Sequence, residues 1–174
     1  MVTNSPLIKH TRKKSMDLTQ VLTGLESAKA EYDRQVQLAA APLEDYLIQF
    51  CKANNLPGFI WTQYTPHFND GDECIFGVNT PYLIVSNPED VYGCRMYDNE
   101  NVLELWWRWD KVSDEDRARL MDAGITKESY SAFYELARLL QSEELEYVLR
   151  TAFGDHVFVK VTQDAVLVDE YDHD

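Results

Sequence analysis

Apolar residues recur at three- and four-residue steps through Leu18, Val21, Leu22, Leu25, Ala28, Tyr32 and Val36. That spacing is one face of an α-helix. Gly24 sits inside the stripe and weakens the helix by about 1 kcal/mol. Pro42 ends this helix or opens the next, because proline suits a first helical turn. Leu43, Tyr46, Leu47 and Phe50 form a second helical face, closed by Asn54, Asn55, Pro57 and Gly58. The period then drops to two. Phe59–Thr65 reads as a strand. Cys74, Phe76 and Val78 alternate in another, after the turn Asn69-Asp70-Gly71-Asp72. Tyr82–Ser86 and Val91–Tyr97 are shorter strands. Val102–Trp109 puts Leu103, Leu105, Trp107 and Trp109 on one face and Glu104, Trp106 and Arg108 on the other. Together these segments predict an antiparallel meander with one buried face.

Helical spacing returns after Asp110. Ser113 and Asp116 resemble a capping box. Thr126 opens a helix with Tyr130, Phe133, Tyr134, Ala137 and Leu140 inward. Leu145, Val148, Leu149 and Ala152 carry a further helix to Gly154, a C-terminal cap. Two strands close the chain. With Gln163-Asp164 as a two-residue turn, Val161 pairs with Val166 and Val159 with Val168. That register aligns Val157, Val159, Val161, Val166 and Val168 on one face. It also sets Asp155 opposite Asp172 and His156 opposite Tyr171. The order is N-terminal helices, antiparallel β-meander, helical segment and C-terminal β-hairpin, an α+β fold. Residues 1–15 read as a disordered basic tail. Residues 16–174 read as one domain, from which the helix over 16–41 is free to protrude.

Charge changes the picture next. Thirty Asp and Glu oppose sixteen Lys and Arg, for a net charge of −14. Lys9, Arg12, Lys13 and Lys14 lie in the tail, so the body is more acidic still. Such a body repels nucleic acid and anionic membrane and attracts basic protein surfaces. With 45% hydrophobic and 12% aromatic residues, the chain has the material for a packed core, so acidity does not imply disorder. Cys51, Cys74 and Cys94 have no CxxC spacing and read as reduced thiols. The first residues lack the apolar stretch of a signal peptide, and no run approaches a membrane span. A cytoplasmic location is the expectation.

Three segments carry candidate chemistry. Trp61 to Cys74 combines Trp61, Tyr64 and Phe68, expected contacts for a protein partner, with His67, Asp70 and Asp72 around an Asn-Asp-Gly turn. Asp70-Gly71-Asp72 resembles part of a calcium loop, but the terminal Glu spacing is absent. Turn chemistry alone accounts for the composition. The second segment is Phe153-Gly154-Asp155-His156 with the terminal Glu170-Tyr171-Asp172-His173-Asp174. Opposed carboxylates need solvent, a proton or a cation. If the two segments met, His67, Asp70, Asp72, His156 and Asp172 would be the ligands of a divalent metal in a hydrolase or nuclease. The competing reading is a solvated strand end. The third segment, Leu105 to Asp110, places Trp106 and Arg108 outward, the composition of a protein-binding hot spot. Carboxylates at Asp114, Glu115, Asp116, Glu143 and Glu144 extend that surface. No Walker A, GxGxxG, GxSxG or HExxH motif is present. The balance points away from an enzyme and implies no cofactor outside the metal alternative.

The strings Trp61-Thr-Gln-Tyr-Thr-Pro-His-Phe-Asn-Asp-Gly and Phe153-Gly-Asp-His to Glu170-Tyr-Asp-His-Asp resemble a family of uncharacterised tailed-bacteriophage proteins, over residues 43–174. The resemblance implies a viral origin and the bacterial host cytoplasm as the working compartment. It transfers no catalytic role. The expectation is an acidic accessory protein that binds a basic surface on a host or phage protein and modulates or inhibits it, as an anti-defence protein would. A mimic of DNA phosphates is the specific form. A virion or assembly component, self-associating through the N-terminal helix, is the other competitor.

Overall fold

The computed structural model describes residues 18–67, 71, 73–91, 100–104 and 108–172. The chain divides into two compact units, Met1–Arg34 and Gln35–Asp174. The described part of the first, residues 18–34, belongs to helix α1 (Leu18–Ala40). Leu18, Leu22, Leu25 and Tyr32 are each more than half exposed. Arg34 closes one turn by pairing with Glu31 at 2.7 Å.

In the second unit, helix α2 (Leu43–Ala53) begins directly after Pro42. Strands β1 (Gly58–Tyr64), β2 (Gly77–Val78), β3 (Tyr82–Ile84) and β4 (Val102–Glu104) follow. Helices α3 (Asp114–Asp122), α4 (Lys127–Leu140) and α5 (Glu143–Phe153) come next, then strands β5 (Val157–Thr162) and β6 (Val166–Glu170). The fold is α+β. All strand pairs are antiparallel, in the order β4-β3-β1-β5-β6, and β2 pairs with β1 further along the side that β3 occupies. Between β2 and β3, Asn79 holds the chain against β1 through Thr62. Its amide donates to the Thr62 carbonyl, and its side chain donates to the Thr62 hydroxyl at 2.7 Å.

The local signals explain the helix ends. The Ser113 hydroxyl accepts from the Asp116 amide at 3.0 Å and donates to the Asp116 carboxylate at 2.7 Å. Thr126 accepts from the Ser129 amide. Gly154 ends α5 at φ 98°, a backbone region that favours glycine. The hairpin register is the expected one, Val161 with Val166 and Val159 with Val168.

Two expectations are corrected. The sheet is buried on both faces rather than one. Phe59, Trp61, Val159 and Val161 pack under α2, α4 and α5, while Ile60, Phe158, Tyr82, Ile84, Val91 and Val102 form a second cluster on the opposite face. Lys160 pins the 3₁₀ turn Pro88–Asp90 to that second face, its ammonium donating to the carbonyls of Pro88 and Val91. Within the sheet β1 is central, with β3 and then β4 on one side and the late β5–β6 hairpin on the other. Second, Trp109 is not in a strand. It opens a 3₁₀ turn, Trp109–Lys111, and packs edge-on to Tyr130 at 5.3 Å. The strand expected over Val91–Tyr97 lies, past Val91, outside the described residues.

Candidate functional site

β5 runs along β1, so the end of β1 meets the end of α5: Gln63 sits opposite Val157. This pairing joins two segments about ninety residues apart. Gln63 is buried, and its amide donates to the carbonyls of Leu149 at 3.2 Å and Gly154 at 2.7 Å. Its side-chain oxygen accepts from the Trp61 indole at 3.0 Å. A buried amide without these partners would cost about 1–3 kcal/mol.

Asp155 fastens the junction. Its carboxylate accepts from the Thr65 amide at 2.8 Å, the Thr65 hydroxyl at 2.7 Å and the His156 amide at 2.9 Å. Arg150 pairs with it at 2.9 Å. Burial alone would raise its pKa, but the Thr65 and His156 hydrogen bonds and the Arg150 charge outweigh burial and hold it below the ordinary carboxylate range. His156 adopts φ 55°, uncommon for a non-glycine residue. Its carbonyl accepts from the Tyr171 amide. Its ring stacks on His67, with centroids 4.7 Å apart and planes 13° from parallel. Tyr64 packs against Tyr171 at 5.6 Å.

The two motif segments therefore meet, through His67 and His156. They do so as a structural clasp. Asp155 is committed to four partners, and Arg150 supplies the cation that an opposed carboxylate needs. Asp172 is exposed, and Asp70 and Asp72 lie outside the described residues. Among the described residues, no three His, Cys, Asp or Glu side chains gather as a metal site would require. Sequence reasoning missed Gln63, Thr65 and Arg150. Their roles arise only from the β1–β5 pairing, and no local pattern announces them.

The expected interface residues divide. Trp61 is corrected: it is fully buried, between Phe59 at 5.9 Å and Phe153 at 5.5 Å, and offers no surface. A strand covered on both faces buries either register of its side chains. Tyr64 is half-buried in the clasp. Phe68 and Trp106 lie outside the described residues. Arg108 is exposed, beside a small cleft of about 100 Å³ shared with Trp109, Ser131, Tyr134 and Glu135.

The charged surface has a consistent build. Asp114, Glu115 and Asp116 occupy the first turn of α3, and Glu143, Glu144 and Glu146 that of α5. The helix dipole favours carboxylates there. Arginines are neutralised close to home: Arg117 by Asp114, Arg119 by Asp116, Arg138 by Glu135 and Arg150 by Asp155. The surplus carboxylates Glu115, Asp122, Glu128, Glu143 and Glu144 are exposed. What reaches solvent is thus predominantly negative.

In comparisons with known proteins, no family model, no curated protein and no solved structure matches the chain. Among the described residues, no helix is long and apolar enough to cross a membrane.

Proposed function

We propose that the protein is an acidic binding module that engages a basic surface on another protein and modulates or inhibits it. The observation that carries this reading is the charge left on α3 and α5: Arg117 and Arg119 pair within α3 and Arg150 pairs with Asp155, while Glu115, Asp122, Glu143 and Glu144 are exposed. Such a field accelerates encounter with a basic partner. It disfavours direct contact with nucleic acid, and the natural target is a protein whose own basic surface serves nucleic acid. The resemblance to tailed-phage proteins supports a viral accessory role in a bacterial cytoplasm.

The test is a tagged pull-down from bacterial lysate at low and moderate salt. It compares the wild type with a variant carrying Asp114→Lys, Glu115→Lys, Glu143→Lys and Glu144→Lys. The expected result is one stoichiometric, salt-sensitive protein lost from the variant. A partner retained equally by both proteins would refute the charge-driven reading.

A second reading rests on α1. Leu18, Leu25 and Tyr32 are exposed at seven-residue spacing, the repeat of a coiled-coil seam. Self-association through this stripe predicts a concentration-dependent mass in sedimentation, abolished by Leu25→Glu. A constant monomer mass would remove it.

A further inference from the structure

The two edges of the sheet are finished differently. At β4, Arg119 reaches across from α3 and donates to the carbonyls of Glu100 at 2.6 Å and Val102 at 3.3 Å. The Val102 carbonyl is one that an added strand would use. Val102 is opposite Ile84, while the hydrogen bond from the Val85 amide to the Asn101 carbonyl places the ladder bonds at the neighbouring pairs. A guanidinium thus occupies this edge at its Glu100–Val102 end. Covering or charging an edge is how sheets avoid unwanted pairing.

β6 has no such cover among the described residues. The Tyr171 amide bonds to the His156 carbonyl and the Thr162 amide to the Ala165 carbonyl. Residues 165, 167, 169 and 171 therefore point their amides and carbonyls at β5. Val166 and Val168 point theirs outward. The Glu170 amide is the exception on that side, since the Asp169 carboxylate accepts from it at 2.9 Å. The side chains around this edge are half open: Leu167 is 50% and Val168 41% exposed. They are also sorted along the strand. One face carries Val166, Val168 and then Glu170, the other Leu167 and then Asp169, and Asp172 follows past the end of the strand. Aliphatic residues come first and carboxylates last on both faces.

We propose that the open edge of β6 binds an extended basic segment of the partner protein by strand addition. This rests on the proposed function and names its mode. The incoming strand runs antiparallel to β6. It places β-branched residues across from 166–168 and Lys or Arg across from 169–172, where opposite charges pair across strands. A second copy of this chain fits worse, because it would bring one acidic edge against another.

The test uses a capped peptide, Lys-Arg-Lys-Val-Thr-Val-Thr, with its block-reversed form and a form N-methylated at alternate amides as controls. Hydrogen exchange at the Val166 and Val168 amides is read by NMR, together with affinity. The expected result is binding with at least tenfold slower exchange at both amides, and at least tenfold weaker binding of both control peptides. Val168→Pro, which removes only an outward-facing donor and spares the β5 ladder, should weaken binding by a similar factor. Asp169→Asn, which keeps the side-chain acceptor, should weaken it less. Peptide bound without protection at these amides, and equally by Val168→Pro, would overturn strand addition. If that binding were lost in the Lys variant of α3 and α5, the acidic-surface reading would stand alone. No binding of any basic peptide, with no partner in the lysate, would overturn both.

Discussion

Asp155 shows how a residue that looks catalytic becomes structural. An aspartate beside a histidine suggests acid–base chemistry, yet every direction from this carboxylate is taken by a donor or a cation. Its folded pKa lies below its unfolded value, so its ionised form contributes stability above the ordinary carboxylate range. That contribution is lost as pH falls through the folded value. Asp155→Asn should cost about 1–3 kcal/mol at neutral pH. The gap from wild type should narrow below about pH 4, as thermal melts across pH would measure. Cys51 is the buried counterpart: burial pushes its thiol up to about 12. A thiol reagent at neutral pH should leave it unmodified in the folded protein and label it on denaturation, which mass spectrometry can read. Trp61 teaches the reverse lesson. Its aromatic neighbours suggested a contact surface, but sequence alternation cannot reveal that a strand is covered on both sides.

Among the elements, local signals were the legible ones. Proline before α2, serine and threonine caps on α3 and α4, glycine after α5, and the β5–β6 register all follow from residues within a few positions of one another. The position of β1 did not. It depends on pairing with β5 about a hundred residues later, which also brings His67 to His156. Gly58 marks how close that pairing is, since a Cβ there would collide with the Val161 carbonyl. Gly58→Ala should therefore destabilise by about 1–3 kcal/mol, visible as a lower urea midpoint. Gly24 is the opposite case. It lies mid-helix in α1 with open space around its Cα. Gly24→Ala should add about 0.5–1 kcal/mol to that helix, seen as greater helical circular dichroism at an unchanged core melting transition.

For the whole molecule, the excess of acid was legible from composition, and its arrangement was not. Composition counts seven basic residues between 110 and 174. It does not say that four of them, all arginines, are neutralised beside their own helices. Nor does it say that one of those four also caps two carbonyls at one sheet edge. The proposed binding role rests on these arrangements as well as on the net charge. The most direct measurement is the association rate of the captured partner as a function of ionic strength, for the wild type and the Lys variant of α3 and α5. The wild-type rate should fall at least tenfold between low and moderate salt, with a slow, nearly salt-independent rate in the variant. A wild-type rate that ignores salt and matches the variant would contradict the proposed role.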